Sequence, residues 1–241
     1  MSKKASNFQK EERPQNRSLP KAEPATDRIK SAYHASKNIY DDVLTQGSFL
    51  SRMYIGFFWS GTDDKEVARK IMSYIPRDFT GNILDVPVGT AVFTEHKWRA
   101  LSKAKITCLD YSEDMLDKAK RRLGDCGHIS FVQGDVGQLP FADESCDIVL
   151  SMNGFHAFPD KKRAFLETNR VLKKGGRFIG CFYIKGKSRR TDWLVGRILT
   201  KKGWFTPPFL TEENLRSVLG RFYSDIDCRT DGSIAYFICT K

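Results

Sequence analysis

Two carboxylates and a glycine are the residues best placed to do chemistry: Asp85, Gly89 and Asp110. Asp85 ends the apolar run Asn82-Ile-Leu-Asp85, and a turn, Val86-Pro-Val-Gly89-Thr90, separates it from the helix that should follow. Asp110 ends a second apolar run, Ile106 to Leu109, and is followed by Tyr111. Glycine lets a backbone come close to a ligand, and an acid just past a second strand can accept both hydroxyls of a ribose. Two strand ends with one acid each suit an adenosine-like ligand. Gly134-Asp135-Val136 adds a third acid, which could face an exocyclic amine with an apolar neighbour against the ring. Asn153 falls at a fourth strand end.

These residues need elements to hold them. Apolar runs predict strands over Asn82–Val86, Ile106–Leu109, His128–Val132, Cys146–Ser151 and Arg177–Ile184. Helices should start near Thr90, whose hydroxyl can cap one, and at Ser112, where acids lead and Lys118, Lys120, Arg121 and Arg122 trail in the order that complements the helix dipole. A helix over Asp160–Lys174 is stopped by Gly175-Gly176, and another runs from Thr211 to Leu219. Phe222–Cys228 and Ser233–Thr240 then form a hairpin across Asp231-Gly232. Strands alternating with helices predict a mostly parallel sheet. Ligands of such sheets bind beyond the carboxyl ends where strand order reverses, here between the first and fourth strands.

At 241 residues the chain suits one domain with additions, and 40% hydrophobic content supports a core. No apolar run approaches the ~18 residues of a membrane span, and the basic N-terminus has no apolar stretch behind it, so a cytoplasmic location is expected. Six scattered cysteines without a CxxC pair predict reduced core thiols and no metal site. The net charge of +11 is concentrated in two places. Residues 1–36 hold eight Lys or Arg against four acids, and residues 185–202 hold seven against Asp192 alone. Residues 1–30, polar and carrying Pro14, Pro20 and Pro24, predict a disordered tail, and residues 31–76 a helical cap rich in aromatics. Residues 185–208 interleave Trp193, Trp204 and Phe205 with the cations, as an acceptor lid, a contact for an anionic or membrane surface, or a helix packed on the sheet edge would.

The motifs, in this order, resemble the class I S-adenosylmethionine-dependent methyltransferases over about Tyr33 to Thr240. Asp85-Val-Pro-Val-Gly89-Thr-Ala91 is similar to the family's D-x-G-x-G-x-G, and Leu172-Lys-Lys-Gly-Gly176 to its L-K-P-G-G turn. Within the class the pattern is similar to ubiquinone and menaquinone biosynthesis enzymes, through Tyr40-Asp41, Phe155-His156 and Thr206-Pro-Pro-Phe-Leu210. The resemblance implies a Rossmann-like, doubly wound, seven-stranded α/β sheet closed by an antiparallel hairpin, with an N-terminal helical addition. It also implies methyl transfer from S-adenosyl-L-methionine to a small, partly apolar acceptor. Cofactor contacts fall on Asp85, Pro87, Gly89, Thr90, Asp110, Tyr111, Met115, Gly134, Asp135, Val136, Asn153 and Tyr40. Trp59, Phe155 and Trp204 either line the acceptor or simply pack, and His156, beyond the fourth strand, is the candidate base. Pro87 and Ala91 depart from the motif, and proline lends the loop no N–H.

Two other classes stay open. A nicotinamide-dependent oxidoreductase shares the core, but its turn needs G-x-G-x-x-G, and Gly89 has no glycine two before it or three after it. A non-catalytic domain could bind nucleic acid through the tail and the basic insertion. The Asn-Pro-Pro-Tyr motif of amino-group methyltransferases for bases is replaced by Ser151-Met-Asn-Gly-Phe155, which disfavours nucleic acid as the acceptor. The sequence sets no oligomeric state.

Overall fold

Successive strand side chains point to opposite faces, and here both faces are apolar: Ile83 and Leu84, Ile148 and Val149, and Phe178 and Ile179 are adjacent in sequence and all buried. Such strands must be covered on both sides by helices. A computed structural model of the chain describes residues 64–241 and shows that arrangement. The strands are β1 (Asn82–Asp85), β2 (Lys105–Asp110), β3 (Ile129–Gln133), β4 (Cys146–Met152), β5 (Leu172–Tyr183), β6 (Ser224–Asp231) and β7 (Ile234–Thr240). They form one sheet in the order β3-β2-β1-β4-β5-β7-β6, parallel except for β7, which pairs antiparallel with both neighbours. The order reverses between β1 and β4, as expected.

One face carries Ile83, Ile106, Ile148 and Ile179 against α1 (Asp64–Ser73), α2 (Glu95–Ala100) and α3 (Glu113–Leu123). The other carries Leu84, Val149, Phe178 and Phe237 against α4 (Lys161–Val171) and α6 (Glu212–Phe222). The short α5 (Arg189–Leu194) runs into a π-helical turn over Val195–Leu199. Ser112 and Thr211 cap α3 and α6 by accepting from the N–H of Met115 and Asn214, and Gly124 closes α3. Among the described residues no helix is long and apolar enough to cross a membrane, and all six cysteines are free.

Two expected boundaries are corrected. The helix after β1 starts at Glu95 behind Thr94, so the hydroxyl of Thr90 caps nothing. The fourth helix ends at Val171, because Leu172 already pairs with Cys146 across a register shift in β4. Gly175-Gly176 therefore lies inside β5, where Gly175 takes φ +75° and the pair exchanges hydrogen bonds with Lys241. The expected tail and most of the expected helical cap lie outside the described residues; α1 falls within the last part of the 31–76 span.

Candidate functional site

A cavity opens at the carboxyl edge of the sheet, over the β1/β4 switch point. Four strand ends line it. After β1 come Asp85, Pro87, Gly89 and Thr90; after β2, Asp110, Tyr111 and Met115; after β3, Gly134, Asp135 and Val136; after β4, Asn153. Every described residue expected to touch a cofactor thus borders one space. Tyr40 and Trp59 lie outside the described residues.

Asp85 is only 1% exposed, and Nε1 of Trp98, from α2, donates to its Oδ2 at 2.8 Å. Burial pushes its carboxyl up to about 7; Trp98 and Thr94 oppose the rise, and the charge of Asp110 adds to it. Asp110 accepts from the Ser112 N–H at Oδ1 and from the Gly89 N–H at Oδ2, each at 2.9 Å. Burial raises it to about 6 against those backbone donors and that of Tyr111. Among the described residues no cation shifts either acid, so both would gain from a ligand bringing hydroxyls or positive charge.

The first turn keeps its glycine geometry despite its composition. Gly89 has φ +55° and Ala91 φ 60°, so two of the three positions that are glycine in the motif it resembles adopt the left-handed backbone, Pro87 being the third. A Cβ at Gly89 would meet no protein atom within 4 Å. Pro87 sits against Gly154, where a Cβ would come 2.2 Å from the proline Cδ. The hydroxyl of Thr90 is buried beside the cavity with no hydrogen-bond partner among the described residues, an uncommon and costly state that a ligand could relieve. Asp135 accepts from the Gly137 N–H at 2.7 Å, so one of its oxygens holds the turn after β3.

Three expectations at the acceptor side are corrected. His156 does not line the cavity: its ring stacks on Phe205 with centroids 4.0 Å apart, and its Nδ1 accepts from the Tyr183 N–H. Burial, with the charge of Lys161, pulls it down to about 3, which makes it a weak base, and its engaged ring faces packing instead of the cavity. Phe155 is fully buried between Phe165 and Phe182, packing rather than lining. Trp204 packs on the core beside Lys202 and does not border the cavity. In their place Phe158 and Pro159 form the wall. Behind that wall Lys161 Nζ donates to the carbonyls of Phe158 and Thr206, while the Thr206 N–H donates to the His156 carbonyl.

Residues 84–180 match the family described as a methyltransferase domain. Over that span, about two fifths of its length, the chain is similar to methyltransferase domains. It is similar to a demethylmenaquinone methyltransferase of Thermotoga maritima, 32% identical over 150 residues, or 62% of each protein. A protein of the same description from Staphylococcus epidermidis is 39% identical over 116 residues, 47% of this chain and 48% of that one. The chain therefore spans about three fifths of the first relative's length and about half of the second's. Phosphoethanolamine N-methyltransferase 2 of Haemonchus contortus, solved in complex with S-adenosyl-L-methionine, shares the fold of this domain with a TM-score of 0.63 at 14% identity, over 75% of this chain and 53% of that one. No local pattern marks Trp98 or Phe158 for the site; the Asn153-Gly154 pair is the one local signal at this turn.

Proposed function

We propose that this protein transfers a methyl group from S-adenosyl-L-methionine to a small, partly apolar acceptor. The observation that carries the reading is the pair of buried acids Asp85 and Asp110, converging on one cavity with the Thr90 hydroxyl; among the described residues no cation shifts either acid and that hydroxyl has no hydrogen-bond partner. These groups fit the donor molecule. Asp110 is placed to accept ribose hydroxyls, Gly134 to Val136 to hold the base, and Asp85 to offset a cationic group, directly or through water. When bound, S-adenosyl-L-methionine supplies a methyl on a positively charged sulfur, open to in-line displacement.

The chain's own work is then alignment and exclusion of water. Orientation alone can supply several kcal/mol of a barrier of this kind, ~7 to 11 in well-placed cases. Phe158, Pro159 and Met152 give the cavity an apolar wall against which an aromatic or aliphatic acceptor can seat. With His156 turned into packing, no histidine among the described residues lines the cavity. An acceptor that ionises by itself, or attacks through carbon or nitrogen without early proton loss, needs no such base. Likeness to demethylmenaquinone methyltransferases supports a ring acceptor of that chemical kind.

The test is transfer of tritiated methyl to a panel of demethylated quinones, phenols and amines, with appearance of S-adenosylhomocysteine as the common readout. Label in an organic-extractable product is expected. Stabilisation of the protein by NADH and not by S-adenosylhomocysteine in a thermal shift would instead point to the oxidoreductase.

A further inference from the structure

The basic segment after β5 is not absorbed by this reading. Trp193 is 59% exposed, the more open of the two large apolar side chains left on the described surface. It lies on a continuous helical stretch, Arg189 to Leu199, whose Thr191, Leu194, Val195 and Leu199 are buried. Arg189 and Arg197 are exposed four residues to either side of Trp193, about one turn each way, and Arg190, Lys201 and Lys202 are exposed nearby. The two described acids beside this face have partners off it. Asp192 accepts from the Tyr183 hydroxyl and the Gly186 N–H, and Glu212 pairs with Lys187 and Arg216.

We propose that the Arg189–Lys202 face docks on an anionic lipid bilayer, with the indole of Trp193 at headgroup level and the cations on lipid phosphates. An indole placed among cations on a helix whose other side is anchored to a domain is the pattern that favours a bilayer interface. Single-stranded nucleic acid calls for a groove with successive stacking rings. Here the next ring along, Trp204, packs on the core instead. The docked face is tied to the cavity wall. Phe205 stacks on His156, and Thr206 is bridged to Phe158 by Lys161, so direct contacts join the end of the membrane-facing segment to the wall of the site. Docking depends on this surface alone, and holds whether or not methyl transfer is the reaction.

The full chain should be sedimented with vesicles of phosphatidylcholine alone, or of phosphatidylcholine with phosphatidylglycerol, at physiological salt. Binding to the anionic vesicles only, weakening with added salt, is expected. Trp193→Ala and the pair Arg189→Glu with Arg197→Glu should each lower that partition by about tenfold or more. Both variants change exposed residues, and their circular dichroism and melting temperatures should match the parent's. Parent-like vesicle binding by both variants would overturn the proposal, as would equal binding to neutral vesicles. So would an RNA oligonucleotide that displaces the vesicles and itself loses affinity for both variants.

Discussion

Asp110 already holds two backbone N–H groups, of Gly89 and Ser112, so it fixes the loops after β1 and β2 to each other as well as offering charge to a ligand. In Asp110→Asn the amide keeps the shape but loses the charge and one acceptor. A charged hydrogen bond contributes about 1.5 to 3 kcal/mol, so the dissociation constant for S-adenosylhomocysteine should rise roughly ten- to a hundredfold by calorimetry. An unchanged constant would take Asp110 out of the site. Trp98 is the residue that makes a buried Asp85 tolerable. Trp98→Phe removes the stronger donor and leaves the buried Asp85 with only the smaller help of Thr94. Urea unfolding should show a loss of about 1 to 3 kcal/mol for that, before any cost of the smaller ring. At Gly154 the added methyl of Gly154→Ala would collide with Pro87, at 2.2 Å, and with Phe158. Forcing such a contact costs about 1 to 3 kcal/mol and should weaken cofactor binding along with stability, since both contacted residues line the cavity.

At the scale of elements, the strap over residues 204–209 is fastened by Lys161, which is buried beside Phe209 and donates to Phe158 and Thr206. Lys161→Met should leave the sheet intact and loosen the wall. The Michaelis constant for the acceptor should then rise more than that for the donor, and a parallel rise of both would contradict a role confined to the acceptor side. The elements differ in how plainly the sequence announces them. Strand ends bearing Asp85 and Asp110, the Ser112 cap and the Asp231-Gly232 hairpin are legible because each depends on neighbours within a few residues. His156 and Phe155 are not legible in the same way. Both follow β4 at a turn where Asn153 takes φ 53°, and it is packing against Phe205, Phe165 and Phe182, distant in sequence, that turns them inward. The bond from Trp98 to Asp85 depends on how α2 lies across the sheet, and the start of β5 on its pairing with β4. Neither leaves a local trace.

For the whole molecule, the two buried acids make stability depend on pH. Burial raises both carboxyls, so between the unfolded value of 3.8 and the folded values of about 7 and about 6 the native state keeps protons that the unfolded chain has released. Their contribution is full below about pH 4 and is lost as pH rises to about 7. The ligand-free protein should therefore lose melting temperature over that interval more steeply than Asp85→Asn does. Equal slopes would mean that Asp85 ionises as it does in water. The fold places these acids, the turn at Gly89 and the Thr90 hydroxyl at a single switch point, and the central claim is that the space between them takes S-adenosyl-L-methionine. A crystal structure of the complex with S-adenosylhomocysteine tests this most directly. The expected result is ribose hydroxyls on Asp110, the adenine beside Asp135 and Val136, and the Thr90 hydroxyl bonded to the ligand or to a water beneath it. Adenosine bound elsewhere, or no binding at millimolar ligand, would contradict the claim.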